Sequence, residues 1–220
     1  MTKTITLSGP EQKAKSGNTE KLIILLHGLG ADGDDLFGLV PYFADNLPNT
    51  HFISPNAPFP CDMAPYGRQW FSLQTREEYA ILKGLKIAEP ILNNFIDIKL
   101  KELGLEDKDL AIIGFSQGTM LALHTVLRRD KPIGGVVGYS GALVASHTLK
   151  EELKSRPSIC LVHGESDEVV PFDAFSQAIS VLQKLGVEVQ GYSREGLAHG
   201  IDPAGMQIGI KFLGEVFNKD

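Results

Sequence analysis

Short apolar runs alternate along the chain with longer amphipathic stretches. Leu22-Ile23-Ile24-Leu25-Leu26 and Leu110-Ala111-Ile112-Ile113 are continuously apolar. A strand reads this way when both of its faces are covered. On that pattern strands are expected at 22–27, 51–54, 110–115, 134–139, 158–163 and 187–193. The segments between them carry helical periodicity and predict helices at 35–46, 76–103, 117–129, 174–185 and 204–217. Strand and helix in turn predict an α/β fold with a mostly parallel central sheet and helices on both faces. Thr4-Ile5-Thr6-Leu7 alternates polar and apolar residues and adds an expected edge strand over 4–7. The length of 220 residues suits one domain over 1–220 with a full core.

Several boundaries have a local cause. Asp202-Pro203 reads as an N-cap followed by proline at the first helical position. Gly104 and Gly186 follow helical patterns and suit left-handed C-caps. Pro90 falls inside the longest helical pattern and is expected to kink or split it. After Pro55 come Pro58, Pro60 and Pro65 without helical period, which predicts an ordered loop of the kind that covers a pocket.

Chemistry concentrates where the expected strands end, as it does in open parallel sheets. Gly114-Phe115-Ser116-Gln117-Gly118 joins an expected strand to an expected helix. In that context G-x-S-x-G is a nucleophile elbow, with the serine on a strained tight turn. Gly114 and Gly118 are required because a Cβ would collide where strand and helix cross closely. A serine hydroxyl is a weak nucleophile, so a base and an acid are needed, in the chain order Ser, Asp/Glu, His. The strand at 158–163 is followed by Gly164-Glu165-Ser166-Asp167-Glu168, and the last strand by Gly196-Leu197-Ala198-His199. Asp167 and His199 are therefore the expected acid and base. The glycine-rich turn His27-Gly28-Leu29-Gly30 leaves backbone N–H groups free. With the Gln117 N–H at the start of a helix, the Leu29 N–H would form an oxyanion hole.

Competing residues are weighed by position. His163 precedes the acid, the wrong order for the base, and reads as structural. His27 is expected to brace the oxyanion turn. His51, His124 and His147 read as ordinary strand, helix and loop residues. Glu165, Glu168 and Asp173 compete with Asp167, and Asp173 better suits a helix N-cap. Asp32, Asp34 and Asp35 read as helix-terminal residues rather than metal ligands, because no His or Cys accompanies them. The glycine-rich turn lacks the Gly-Lys-Ser/Thr of a phosphate loop.

Composition narrows the function class. The net charge of −6 argues against a nucleic-acid surface. Arg128-Arg129 is expected to complement a helix dipole. The early apolar run is too short for a membrane span and no signal-peptide stretch precedes it, so a cytoplasmic location without stable membrane insertion is expected. Two cysteines fit a reducing compartment. Cys160 reads as a core residue and Cys61 as an exposed loop residue.

These segments resemble the phospholipase/carboxylesterase family of small α/β-hydrolases, which includes the acyl-protein thioesterases. The resemblance rests on Leu26-His27-Gly28-Leu29-Gly30-Ala31-Asp32-Gly33, Pro55-Asn56-Ala57-Pro58, Trp70-Phe71, Gly114-Phe115-Ser116-Gln117-Gly118, His163-Gly164, Asp167-Glu168-Val169-Val170-Pro171 and His199. It departs from the family pattern at Ser72, where Asp is common, and at Thr119, where Gly is common. It implies a serine esterase that needs no metal and no cofactor, with Leu29, Met63, Trp70 and Val169 lining the substrate pocket. The expected activity is hydrolysis of short-to-medium acyl carboxylic esters through an acyl-enzyme. A thioesterase or lysophospholipase acting on long acyl chains is the close alternative. A hydrolase-fold binding module with a silent site is the alternative of another class. The expected partner is a small ester or an acylated substrate. The loop from 57 to 71 would either line the pocket or pack on a second copy in a homodimer.

Overall fold

The computed structural model describes residues 5–218. Its nine strands are β1 (Glu11–Gln12), β2 (Lys21–Leu26), β3 (Thr50–Ile53), β4 (Phe59–Pro60), β5 (Arg68–Gln69), β6 (Leu110–Phe115), β7 (Gly135–Tyr139), β8 (Ser158–Gly164) and β9 (Val189–Arg194). Its helices are α1 (Gly33–Phe37), α2 (Val40–Ala44), α3 (Glu78–Leu103), α4 (Gln117–Val126), α5 (Ser146–Glu152), α6 (Phe172–Lys184) and α7 (Pro203–Phe217). Seven strands form one sheet in the order β1-β3-β2-β6-β7-β8-β9. All neighbours are parallel except β1 against β3. β4 and β5 make a separate small hairpin.

Period-two geometry sends successive side chains of a strand to opposite faces. Leu22, Ile24 and Leu26 of β2 and Leu110 and Ile112 of β6 pack with α3, α4 and α6 residues such as Leu92, Leu121 and Leu182. Ile23, Leu25, Ala111 and Ile113 face the other way, onto Leu36, Phe43, Ile210 and Leu213 of α1, α2 and α7. This two-sided burial is the physical reason for the unbroken apolar runs. The mostly parallel sheet covered on both faces is therefore as expected.

Several details differ from the sequence reading. Of the expected edge strand over 4–7, Thr4 lies outside the described residues and residues 5–7 are not strand. Glu11–Gln12 supplies the sheet edge instead, opposite Ile53 and Phe52. The helix expected over 35–46 is two short helices, with Pro41 in the first turn of the second. Proline has no N–H to carry the hydrogen-bond ladder through. Pro90, in contrast, does not split α3, which runs on with Leu85, Ala88, Leu92, Phe95, Ile96 and Leu100 buried. That packing outweighs one missing hydrogen bond. His147 lies in α5 rather than in a loop; of that short helix only Leu149 is buried, so no apolar period announced it. Cys61 is buried, with its N–H bonded to the Gly67 carbonyl at 3.0 Å. Cys160 is buried as expected, and burial pushes its thiol pKa up to about 12.

Other boundaries agree with the sequence. Gly104 and Gly186 are left-handed, with φ of 68° and 73°. Asp202 caps α7 by accepting from the Gly205 N–H, and Asp32 caps α1 by accepting from the Asp35 N–H. Asp173, expected as an N-cap, is instead in the first turn of α6, whose cap position is Pro171. Arg128 donates to the His124 carbonyl near the end of α4, as a dipole-complementing residue should, and also to Glu152. No helix among the described residues is long and apolar enough to cross a membrane.

The junction of β6 and α4 leaves no room for a side chain at its glycines. A Cβ on Gly114 would lie 2.6 Å from the Thr119 amide nitrogen, and one on Gly118 would overlap the Leu26 carbonyl oxygen. Backbone atoms cannot swing aside as a flexible side chain can. Gly118→Ala should therefore lower unfolding free energy by about 1–3 kcal/mol or more, read by urea denaturation. Gly214→Ala, where the added methyl meets open space, should not lower it.

Candidate active site

The β6–α4 junction fixes Ser116. Its backbone has φ 52° and ψ −114°, outside the ordinary regions for an L-residue. The Ser116 N–H donates to the Tyr139 carbonyl at 2.9 Å, and the Ser116 carbonyl accepts from the Met120 N–H at 3.1 Å. These bonds hold the residue between β7 and the first turn of α4. The elbow expected from the motif is thus present in the backbone.

The expected acid and base, Asp167 and His199, come together from two loops. The Asp167 side chain is fully buried and its Oδ2 lies 2.7 Å from His199 Nδ1. Its Oδ1 accepts from the Val169 and Val170 N–H groups, both at 2.9 Å. Burial alone would raise the Asp167 pKa, but the His199 hydrogen bond and the two N–H donors outweigh it and hold the carboxyl below its usual range. A carboxylate only accepts, so His199 Nδ1 carries the proton and Nε2 is left as the basic nitrogen. The loops are tied by the Ser166 N–H to the Leu197 carbonyl at 3.0 Å. The His199 ring packs at 4.9 Å from the Phe115 ring, next to Ser116 in the chain. Ser116 and His199 both line one cavity of about 430 Å³. No direct hydrogen bond joins their side chains; contacts of this kind tighten around a bound substrate.

His163 packs beside Asp167. Its Nε2 lies 2.9 Å from the Val170 carbonyl and 3.3 Å from Asp167 Oδ2. It is buried against Phe175 with ring centroids 5.8 Å apart. Position alone had marked it as structural, and its contacts agree.

The turn after β2 is held rigidly. His27 Nδ1 lies 2.7 Å from the Gly28 carbonyl, and Nε2 accepts from the Ala57 N–H at 3.0 Å. These partners fix a neutral tautomer with the proton on Nδ1. Desolvation lowers the His27 pKa despite the Gly28 hydrogen bond. Gly30 is left-handed at φ 79°, and its N–H bonds the Arg68 carbonyl at 2.9 Å. Arg68 in turn reaches the Ala57 and Pro58 carbonyls. Gln117 begins α4, so its N–H has no acceptor within the helix. Among the described residues no backbone carbonyl takes the Leu29 or the Gln117 N–H.

One sequence expectation needs adjustment here. Met63, Val169 and Leu29 line the cavity, but Trp70 does not. Its ring is fully buried, with Nε1–H donating to the His27 carbonyl at 3.0 Å. Trp70 braces the turn from behind. The Gln117 side chain clamps the same segment: its Oε1 accepts from the Trp70 N–H and its Nε2 donates to the Phe71 carbonyl, both at 2.8 Å. Nothing in the sequence around Gln117 or Arg68 announces these clamps, which span distant segments.

His27 links the site to pH. Its folded pKa is depressed, so the unfolded chain takes up a proton that the folded state refuses. The stabilisation is full above about pH 6.5 and is lost as pH falls below it. Asp167 and Asp202, also depressed, act in the same direction but only at lower pH, below the ordinary carboxylate range. Urea denaturation from pH 8 to 5 should show stability falling with acidification, and His27→Gln should flatten that slope.

Comparison with known proteins agrees with the geometry. The family model described as Phospholipase/Carboxylesterase matches residues 8–217. Acyl-protein thioesterase 1 of Saccharomyces cerevisiae is 30% identical over 94% of this chain and 97% of its own length. Esterase YpfH of Escherichia coli is 27% identical over 88% and 82%. Among solved structures, esterase PE8 superposes with a TM-score of 0.93 at 37% identity, covering 96% of this chain and all of its own. SOBER1 of Arabidopsis thaliana gives 0.78 at 26%, over 91% of this chain. A strained serine at the end of β6, an Asp-paired histidine on the same cavity and a match over nearly the whole sequence make this chain a member of the phospholipase/carboxylesterase family of α/β-hydrolases.

Proposed function

We propose that the protein is a serine carboxylesterase in which Ser116, His199 and Asp167 form the triad. The observation that carries this is the His199–Asp167 pair, 2.7 Å apart, with His199 and Ser116 on the wall of one cavity. Ser116 Oγ attacks the ester carbonyl carbon while its proton passes to His199 Nε2. The Leu29 and Gln117 N–H groups hold the oxyanion; one such donor is worth about 3–4 kcal/mol in the transition state. Collapse breaks the bond to the leaving oxygen or sulfur, which takes the proton from His199. Water then attacks the acyl-serine, gives a proton to His199, and releases the acid as that proton returns to Ser116 Oγ. Asp167 stays ionised and stabilises the imidazolium. No step calls for a metal or a cofactor.

The cavity supports a short-to-medium acyl group. Its volume of about 430 Å³ lies toward the small end of ligand pockets. Leu73, Ile81, Met120 and Val144 give it an apolar wall. A second reading, a thioesterase for long acyl chains, is favoured by its open mouth, where Met63 and Val169 are exposed, and by the name of the yeast relative. An ester and thioester series of graded acyl length separates the two. For the first reading, kcat/KM should peak at short-to-medium chains and collapse beyond. Retained activity on palmitoyl thioesters would favour the second.

Ser116→Ala should lower kcat by about 10³-fold or more without unfolding the protein, because the hydroxyl itself supports little packing. A fluorophosphonate should label Ser116 in the wild type. An unlabelled serine would leave a silent binding module as the better account. Gln117→Ala should lose stability as well as activity, since it orphans the buried Trp70 N–H and Phe71 carbonyl.

A further inference from the structure

The cavity wall carries one side chain out of keeping with the rest. Beside Leu73, Ile81, Met120 and Val144 stands Arg76, and no other lining residue bears a formal charge apart from what His199 acquires. The protein's other arginines are all engaged within the fold. Arg68 and Arg156 donate to backbone carbonyls. Arg128, Arg129 and Arg194 hold Glu152, Asp107 and Asp202. Among the described residues Arg76 alone of the arginines has no hydrogen bond or ion pair. Its sequence neighbours do not neutralise it: Glu78 lies 3.6 Å from His147, and Glu77 is not paired with it. A guanidinium is a fixed, always-charged fork whose geometry matches a carboxylate. Arg76 is exposed, so its guanidinium stands at the edge of the cavity, free to meet an anion whose apolar part lies against Leu73 and Ile81.

Resting on the esterase reading above, we propose that Arg76 is a specificity residue that receives a carboxylate on the substrate. The enzyme then favours esters whose acyl or alcohol portion carries negative charge over neutral esters of the same size. The net charge of −6 repels anions at a distance, so the preference arises from contact in the cavity and not from steering.

The test compares kcat/KM within two matched pairs. An aryl monoester of adipic acid against the aryl hexanoate places the charge on the acyl side. 4-Acetoxybenzoate against its methyl ester places it on the leaving side. The wild type should prefer the carboxylated member of at least one pair. In that pair Arg76→Gln should lower the charged-to-neutral ratio about fivefold, and Arg76→Glu should lower it further. The responding pair identifies which portion of the substrate meets Arg76. General damage to the site moves both members of a pair together and leaves the ratio alone. Ratios that are the same in wild type, Arg76→Gln and Arg76→Glu for both pairs overturn the proposal. So does a wild type that hydrolyses neutral esters and refuses both carboxylated ones. Failure of the underlying reading looks different: no turnover of either neutral ester, or turnover that survives Ser116→Ala.

Discussion

The close crossing of α4 over β2 and β6 is the constraint on which the site depends. Gly114 and Gly118 let backbone meet backbone there, with no space for a methyl group at either position. That closeness forces the intervening residue into a turn of φ 52°, a conformation that costs roughly 1–3 kcal/mol for an L-residue. The strain persists because β6 is packed on both faces and α4 is packed firmly onto one of them. A core of this size can hold one unfavourable residue in place, and the residue so held is Ser116.

Around this turn, two polar networks do different physical jobs. On the β2 side, His27, Ala57, Trp70 and Gln117 satisfy one another's buried donors and acceptors. They brace the Gly28–Leu29 turn without using the Leu29 N–H or the Gln117 N–H. On the β8 side, Asp167 is buried yet stays ionised because two backbone N–H groups and His199 solvate it. His163 closes that network from the opposite flank. Oriented dipoles of this kind need no reorganisation as charge develops, which is their value in a site sheltered from water.

Much of the architecture was legible in the sequence because burial on both faces leaves an unambiguous trace. β2, β6, β7 and β8 read as apolar runs, and the caps at Asp202, Gly104 and Gly186 follow from local chemistry. What escaped was decided by context. β1 is two residues long, and β4 and β5 are a hairpin within an irregular loop; none has a period to detect. α5 buries little. Pro90 could not be judged without knowing how firmly its helix is packed.

The order of Ser116, Asp167 and His199 along the chain, and the strand ends on which they stand, were fixed by the sequence, because strand–turn–helix syntax is local. The same holds for the glycines at the elbow, whose need follows from sterics alone. Only the tertiary structure decided which side chains face the cavity. It turned Trp70 inward to His27, gave the Gln117 side chain to Trp70 and Phe71, and left Arg76 without a partner. Each of these depends on which distant segment a side chain meets. That is a property of packing between elements, and no short-range pattern encodes it.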